Sequence, residues 1–379
     1  MRFTYANIRR FLAMAGCLVM IFLLWNPVKR IVWSVRLGQS LQRLAQGDDG
    51  ATLAVTVTSV SREEDHQTYE AIYYRPIETD ASTAVIIVAG LSQEGCYHPR
   101  LVALSRTLAA NGLMVITPDI REFREFQISA EPIEQMIFWH RQIATLEGGE
   151  KIRRIGIAGV SYSGTLAIIA ASRPEIRDHT TFVMAIGPYF DLLNCAREWF
   201  AAGNADEWKG YYPPRYYARW LLMRSALDML PIPEERQFMD DTIHSLIDSH
   251  KAPAIPHGLT PAARRWYELA TIHPGSTDTE LAVIIERHLA TILHDQLNPE
   301  KFLPKLRSPL FLIHGEHDSL IPPRESMELQ RRVKGAHLFI TPFLTHTQMV
   351  DESLTFRRKL AVGWDIFVFG YRLTAVLDR

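Results

Sequence analysis

Cysteine is scarce in this chain: Cys17, Cys96 and Cys195 are the only three in 379 residues, and they stand far apart. They offer no metal-ligand spacing and no disulfide framework, and so leave the redox compartment open. None of the 14 histidines falls in an H-E-x-x-H arrangement, which removes that type of zinc hydrolase. No G-x-G-x-x-G is present, so a dinucleotide site has no support. Gly159 and Gly164 have the spacing of a phosphate-binding P-loop, but Thr165 stands where that motif needs its lysine. Charge of either sign is not in excess: 41 Lys+Arg against 42 Asp+Glu give a net charge of −1, with no long run of one sign. Nucleic-acid binding therefore has no electrostatic basis. What remains is a globular composition, 47% hydrophobic and 22% charged, long enough for one large domain with an insertion or for two domains.

The stretch around which the rest is organised is Arg153–Ser172. Arg154–Ala158 reads as a short buried strand, and Thr165–Ala171 is apolar enough for a helix packed on a sheet. Between them lies Gly159-Val160-Ser161-Tyr162-Ser163-Gly164, a turn made largely of small residues. A strand that turns abruptly into a helix strains the corner residue and exposes its side chain, while the residues two before and two after must be small. That is the nucleophile elbow G-x-S-x-G, with Ser161 at its corner and Ser163 in place of the second glycine. An ordinary strand–helix turn that happens to contain serine is the competing reading. Ser163 is the alternative nucleophile, but it would put the bulkier Thr165 at a position that must be small.

Along the chain, Leu53–Val60 and Tyr69–Tyr74 alternate as two antiparallel strands on either side of a polar break. Ala84–Ala89 is continuously apolar and predicts a central strand. Pro99–Asn111 reads as a helix, Leu113–Thr117 as a strand, Pro132–Leu146 as a helix and Thr181–Ile186 as a strand. From Pro188 to about Pro304 the pattern is helical and rich in aromatics. Leu310–His314 resumes the strand–helix order, followed by helix Pro323–Val333, strand Ala336–Thr341 and helix Leu354–Tyr371. Alternation of this kind predicts an α/β fold, a mostly parallel sheet with helices on both faces, interrupted by a helical cap at about 188–304.

At the N-terminus, Phe11–Trp25 is uncharged and bracketed by Arg9-Arg10 and Lys29-Arg30. With the flanking cations snorkelling, a helix over this segment reaches about 28 Å, close to the hydrocarbon thickness of a bilayer. Asn26–Arg30 lacks the small residues that a cleaved signal peptide wants. Residues 1–45 therefore read as a retained single-pass transmembrane helix followed by a basic amphipathic stretch, Ile31–Leu44, along the membrane surface. Residues 46–379 read as the α/β domain. Basic residues flank both ends of the apolar run and leave open which side the domain occupies.

A serine hydroxyl needs an imidazole to take its proton and a carboxylate to orient that imidazole. Asp318 follows the strand Leu310–His314, in His314-Gly315-Glu316-His317-Asp318-Ser319-Leu320-Ile321-Pro322-Pro323, and His346 follows the final strand. The order Ser161, Asp318, His346 and these motifs resemble the α/β-hydrolase superfamily from about Thr52 to the C-terminus, as does Val115-Ile116-Thr117-Pro118-Asp119. Ala89-Gly90 departs from the His-Gly of many relatives. The resemblance implies Ser161 as nucleophile, His346 as base, Asp318 as orienting acid, and an oxyanion hole from the backbone N–H groups of Leu91 and Tyr162. It implies no cofactor and no metal. His317 is a poor substitute for His346, since it sits beside the acid on one loop.

The expected activity is that of a serine esterase acting on a small-molecule carboxylic ester, lipid-like substrates included. Thioester, amide and peptide hydrolysis would use the same residues, and a non-catalytic binding or scaffold protein would keep the same fold. In the cap, Tyr189, Phe190, Trp199, Phe200, Trp208, Tyr211, Tyr212, Tyr216, Tyr217 and Trp220 either pack helices or line an apolar channel over Ser161. The tandem Arg121-Glu122-Phe123-Arg124-Glu125-Phe126 reads as a solvated loop or as an edge of the same entrance.

Overall fold

The computed structural model describes residues 53–77, 79–200, 214–271, 296–346 and 355–377, with scattered positions in 31–50 and 283–291. The apolar run Phe11–Trp25 and the cap aromatics Trp208, Tyr211 and Tyr212 lie outside the described residues.

Eight strands form one sheet in the order β1-β2-β4-β3-β5-β6-β7-β8. β1 (Val55–Glu64) pairs antiparallel with β2 (Gln67–Pro76), and β2 pairs antiparallel with β4 (Met114–Pro118). β3 (Thr83–Val88), β4, β5 (Arg154–Val160), β6 (Thr180–Ile186), β7 (Leu310–Gly315) and β8 (His337–Thr341) run parallel. The polar stretch after Val60 is not a break: Ser61–Glu64 stays in β1, paired across to Gln67–Glu70. Asp65 and His66, both with positive φ, form the two-residue turn that suits a right-handed hairpin. These residues are polar because β1 is a sheet edge on which no residue is buried.

β3 shows why its sequence is continuously apolar. Ala84, Ile86 and Val88 point into one core, and Val85 and Ile87 into the other, as a two-residue repeat buried on both faces requires. The first core is filled from α3 (Glu131–Gln142), α4 (Tyr162–Ala171) and α9 (Pro323–Arg332), and the second from α1 (Pro99–Ala110) and α10 (Phe356–Leu377). All ten residues of α4 are buried, which explains a helix with no polar face. Between α1 and α3 lies the four-residue α2 (Arg121–Arg124).

Between β6 and β7 come α5 (Leu192–Phe200), α6 (Pro214–Ser225), α7 (Pro233–Ser249) and α8 (Pro261–Thr271), with no strand among the described residues. The last helix, α10, runs six residues past Tyr371, the end expected from the sequence. Its final turn is held to the sheet: Thr83 Oγ1 and Arg154 Nη1 both donate to the Leu377 carbonyl at 3.1 Å.

Candidate active site

β5 ends at Val160 and α4 begins at Tyr162, so Ser161 alone makes the corner, with φ 59° and ψ −126°. Such a backbone is costly for a non-glycine residue and persists only where its surroundings enforce it. Here the Ser161 N–H donates to the Ile186 carbonyl at 2.6 Å, tying the corner to the end of β6. Gly159 is required by close approach: a Cβ there would lie 2.3 Å from the Ser163 carbonyl oxygen. Ser163 is more than a small filler. Its buried Oγ accepts from the Val160 N–H at 2.8 Å and lies 3.1 Å from the Val88 carbonyl at the end of β3. A glycine at 163 would fit but would leave the Val160 N–H without that partner, so small size is not the whole requirement.

The three expected side chains meet above the carboxyl ends of β5, β7 and β8. Ser161 Oγ lies 2.7 Å from His346 Nε2, and His346 Nδ1 lies 2.7 Å from Asp318 Oδ2. Asp318 is 6% exposed, and its other oxygen, Oδ1, accepts from the N–H groups of Leu320 and Ile321, each at 2.9 Å. Burial alone would raise its pKa, but hydrogen bonds from His314, His346 and Ile321 outweigh that and hold the carboxyl well below the usual carboxylate range. His317 takes no part in this chain of bonds.

His314 is the member that the sequence reading did not single out, although it lies in the quoted motif. Fully buried at the end of β7, it donates from Nε2 to the Ile321 carbonyl at 2.8 Å, and Nδ1 faces Ser326 Oγ at 2.6 Å. Nε2 also lies 3.4 Å from Asp318 Oδ2. It braces the acid loop from behind. A histidine closing a strand, with the acid four residues on, was the available signal.

The loop after β3 touches the nucleophile: a Cβ on Gly90 would lie 3.9 Å from that of Ser161. The next residue, Leu91, is half-buried, and its carbonyl accepts from Tyr217 Oη of α6 at 3.1 Å. On the same loop, Gln93 Nε2 donates to Asp248 Oδ1 of α7 at 2.7 Å. Tyr162 supplies the first N–H of α4, a donor with no acceptor inside its own helix. The Gly90-Leu91 loop and the first turn of α4 thus flank Ser161, and helices inserted after β6 are bonded to that loop.

The Arg-Glu-Phe tandem is not a solvated loop. Phe123 and Phe126 are buried, the first edge-on to Tyr162 and the second edge-on to Tyr217, while Arg124 pairs with Asp119 at 3.3 Å. The other cap rings mostly pack. Trp220 Nε1 donates to the Ala270 carbonyl of α8 at 2.8 Å, and Tyr189 Oη donates to the Leu297 carbonyl at 2.9 Å. Trp199 Nε1 donates to the Leu320 carbonyl at 2.6 Å, tying α5 to the acid loop. Cys96 and Cys195 are free and buried, and burial pushes both thiols up, Cys96 to about 12. Neither is an activated nucleophile.

No protein-family model matches the chain, and no curated protein does. Solved structures that resemble it include Est1E from Butyrivibrio proteoclasticus, at 14% identity over 85% of this chain and 99% of that one, with a TM-score of 0.48. A dienelactone hydrolase from Anabaena variabilis has 14% identity over 83% of this chain and 98% of that one, TM-score 0.44. A 2,6-dihydroxy-pseudo-oxynicotine hydrolase has 14% identity over 83% of this chain and 68% of that one, TM-score 0.47. The chain's own topology carries more: an antiparallel β2 beside a parallel run, an elbow after β5, and loops after β7 and β8 converging on it. That architecture is the α/β-hydrolase fold.

Proposed function

We propose that this chain is a serine hydrolase that cleaves a carboxylic ester through an acyl-enzyme. The observation that carries the reading is the unbroken line of hydrogen bonds from Ser161 Oγ through His346 to a buried, ionised Asp318, built on a strained elbow. Ser161 Oγ attacks the ester carbonyl while its proton passes to His346 Nε2. The tetrahedral oxyanion is met by the N–H groups of Leu91 and Tyr162, the second at a helix N-terminus, where the peptide dipoles add positive potential. His346 then protonates the leaving alcohol, and water, deprotonated by the same nitrogen, releases the acid. Each proton taken is returned, and the reaction consumes only water.

The acyl group is apolar in this reading: Leu91 follows the glycine beside Ser161, Tyr217 bonds the Leu91 carbonyl, and Phe126 packs on Tyr217. An apolar site gains ~0.8 kcal/mol for each buried CH₂, so medium-chain p-nitrophenyl esters should give higher kcat/KM than the acetate. The test is fluorophosphonate labelling of the full-length chain together with an ester, thioester and anilide series. Absence of labelling would leave a binding or scaffold protein. A profile falling steadily from acetate would replace the apolar acyl group with a small or polar one.

Tyr217 is a positioning residue in this reading, since its hydroxyl bonds the Leu91 carbonyl. Tyr217→Phe should lower kcat about 10-fold with KM and melting temperature nearly unchanged, because only the transition state uses the Leu91 N–H fully. Unchanged kcat would detach the cap from oxyanion stabilisation. The run Phe11–Trp25 is proposed to anchor this hydrolase in a membrane, and resistance of the full-length chain to alkaline extraction from membranes is the measurement that checks it.

A further inference from the structure

His314 is fully buried at the end of β7, and the proton path from Ser161 to His346 does not pass through it. Its neighbours nevertheless assign its hydrogen bonds. Nε2 faces the Ile321 carbonyl at 2.8 Å, and a carbonyl only accepts, so Nε2 carries a proton. The same nitrogen lies 3.4 Å from Asp318 Oδ2, the oxygen that His346 Nδ1 meets at 2.7 Å. On the other side of the ring, Nδ1 faces Ser326 Oγ at 2.6 Å, and Ser326 is itself fully buried on α9. That turn of α9 is pinned, since Glu325 Oε2 accepts from the N–H groups of Phe190 and Asp191 at 3.0 and 2.8 Å.

The last torsion of an aspartate side chain is broad, so the plane of its carboxylate is set by partners. Oδ1 of Asp318 accepts from the N–H groups of Leu320 and Ile321, each at 2.9 Å. Ile321 thus bonds the carboxylate through its N–H and the His314 ring through its carbonyl, and the approach of Nε2 to Oδ2 closes the circle. We propose that His314 is a positioning residue for the acid. Its one N–H, shared between the Ile321 carbonyl and Asp318 Oδ2, sets the plane in which Oδ2 meets His346. The Ser326 hydroxyl donates to Nδ1 and so keeps a second proton off the ring. This role rests on the serine-hydrolase reading above.

Position and charge are both served. As Ser161 attacks, His346 becomes an imidazolium, and Oδ2 must stay in line with its Nδ1–H to stabilise it. Misplacing a catalytic group by about 1 Å can cost on the order of 10²-fold in rate. A ring with one N–H adds a donor behind the acid without adding net charge. The carboxylate charge is then left to the imidazolium at His346, which a second cation behind Oδ2 would weaken.

The test measures kcat and KM of the full-length chain on one soluble p-nitrophenyl ester, with active sites counted by end-point fluorophosphonate labelling. Two amides at position 314 separate a donor from a filler: the Gln nitrogen reaches the place of Nε2, the Asn nitrogen only that of Nδ1. His314→Gln should keep kcat per labelled site within about threefold of wild type, while His314→Asn should lower it about 30-fold, both at nearly unchanged KM. Ser326→Ala should lower kcat about fivefold at unchanged KM, the worth of roughly one hydrogen bond. Wild-type kcat per labelled site in both amide variants would make His314 a packing residue and overturn the proposal, whatever the change in melting temperature. An equal loss in both would overturn it as well, because a donor in place of Nε2 would then not restore the rate. Should His314→Asn not fold, Ser326→Ala decides: unchanged kcat there overturns the proposal. Failure of the serine-hydrolase reading is a different result, seen as absence of label on the folded wild type, and the proposal falls with it.

Discussion

Ser161→Ala should abolish fluorophosphonate labelling and lower ester turnover by up to ~10⁶, leaving only what substrate binding and the oxyanion donors supply. The loss is this large because no neighbouring group can take over. Ser163, two residues on, is fully buried, and its Oγ is committed to the Val160 N–H and to carbonyls of Val160 and Val88. The buried cysteine thiols are held protonated. Alanine has the same backbone demands as serine at φ 59°, so the elbow keeps its strain and the variant should unfold close to the wild-type temperature. Full labelling of the folded Ser161→Ala protein would move the nucleophile elsewhere.

The fold was legible because its signals are local. A continuous apolar run announced β3 as a strand buried on both faces, and the almost wholly apolar Thr165–Ala171 announced α4. Boundaries were less legible where tertiary partners set them. β1 continues through Ser61–Glu64 because β2 pairs with it, and α10 continues to Leu377 because Thr83 and Arg154 take its last carbonyl. Neither partner can be read from the residues being extended.

The site divides in the same way. Ser161, Asp318 and His346 follow strands in a fixed order, and the structure brings Ser161 and Asp318 each within hydrogen-bond distance of His346. His314 and Tyr217 were not legible, because each acts through a contact between distant elements. A buried histidine behind the acid looks like any strand histidine, and a cap tyrosine reaching the Leu91 carbonyl looks like any packing ring. The Arg-Glu-Phe tandem was open between a solvated loop and an edge of the entrance for the same reason: the contacts of Phe123 with Tyr162 and of Phe126 with Tyr217 are not legible in the tandem itself.

Asp318→Asn should keep the fold and cost about 10⁴ in turnover, and the surrounding backbone says why. Oδ1 accepts two N–H groups, from Leu320 and Ile321, so the carbonyl oxygen of an asparagine must occupy that position. Its NH₂ is then forced to face His346 Nδ1, where the carboxylate had accepted a hydrogen bond. Two donors cannot meet, so His346 must put its proton on Nε2, the nitrogen that has to receive the proton of Ser161. The flipped amide restores the tautomer only by aiming its NH₂ at two backbone N–H groups, each of which would lose its acceptor. The same bonds fix a pH signature. Because the folded-state pKa of Asp318 lies below the unfolded value, its ionisation stabilises the protein above the ordinary carboxylate range, and that contribution is lost as pH falls toward the folded-state value. The wild type should therefore lose stability relative to Asp318→Asn as pH drops below ~4. Asp318 should also not set the acid limb of the activity profile. Chemical denaturation at pH 7 and in acid, alongside turnover of one soluble ester, measures both effects. Wild-type turnover in both Asp318→Asn and His346→Ala would reject the acid–base assignment, and a stability difference independent of pH would mean that the carboxyl is not held ionised by its four partners.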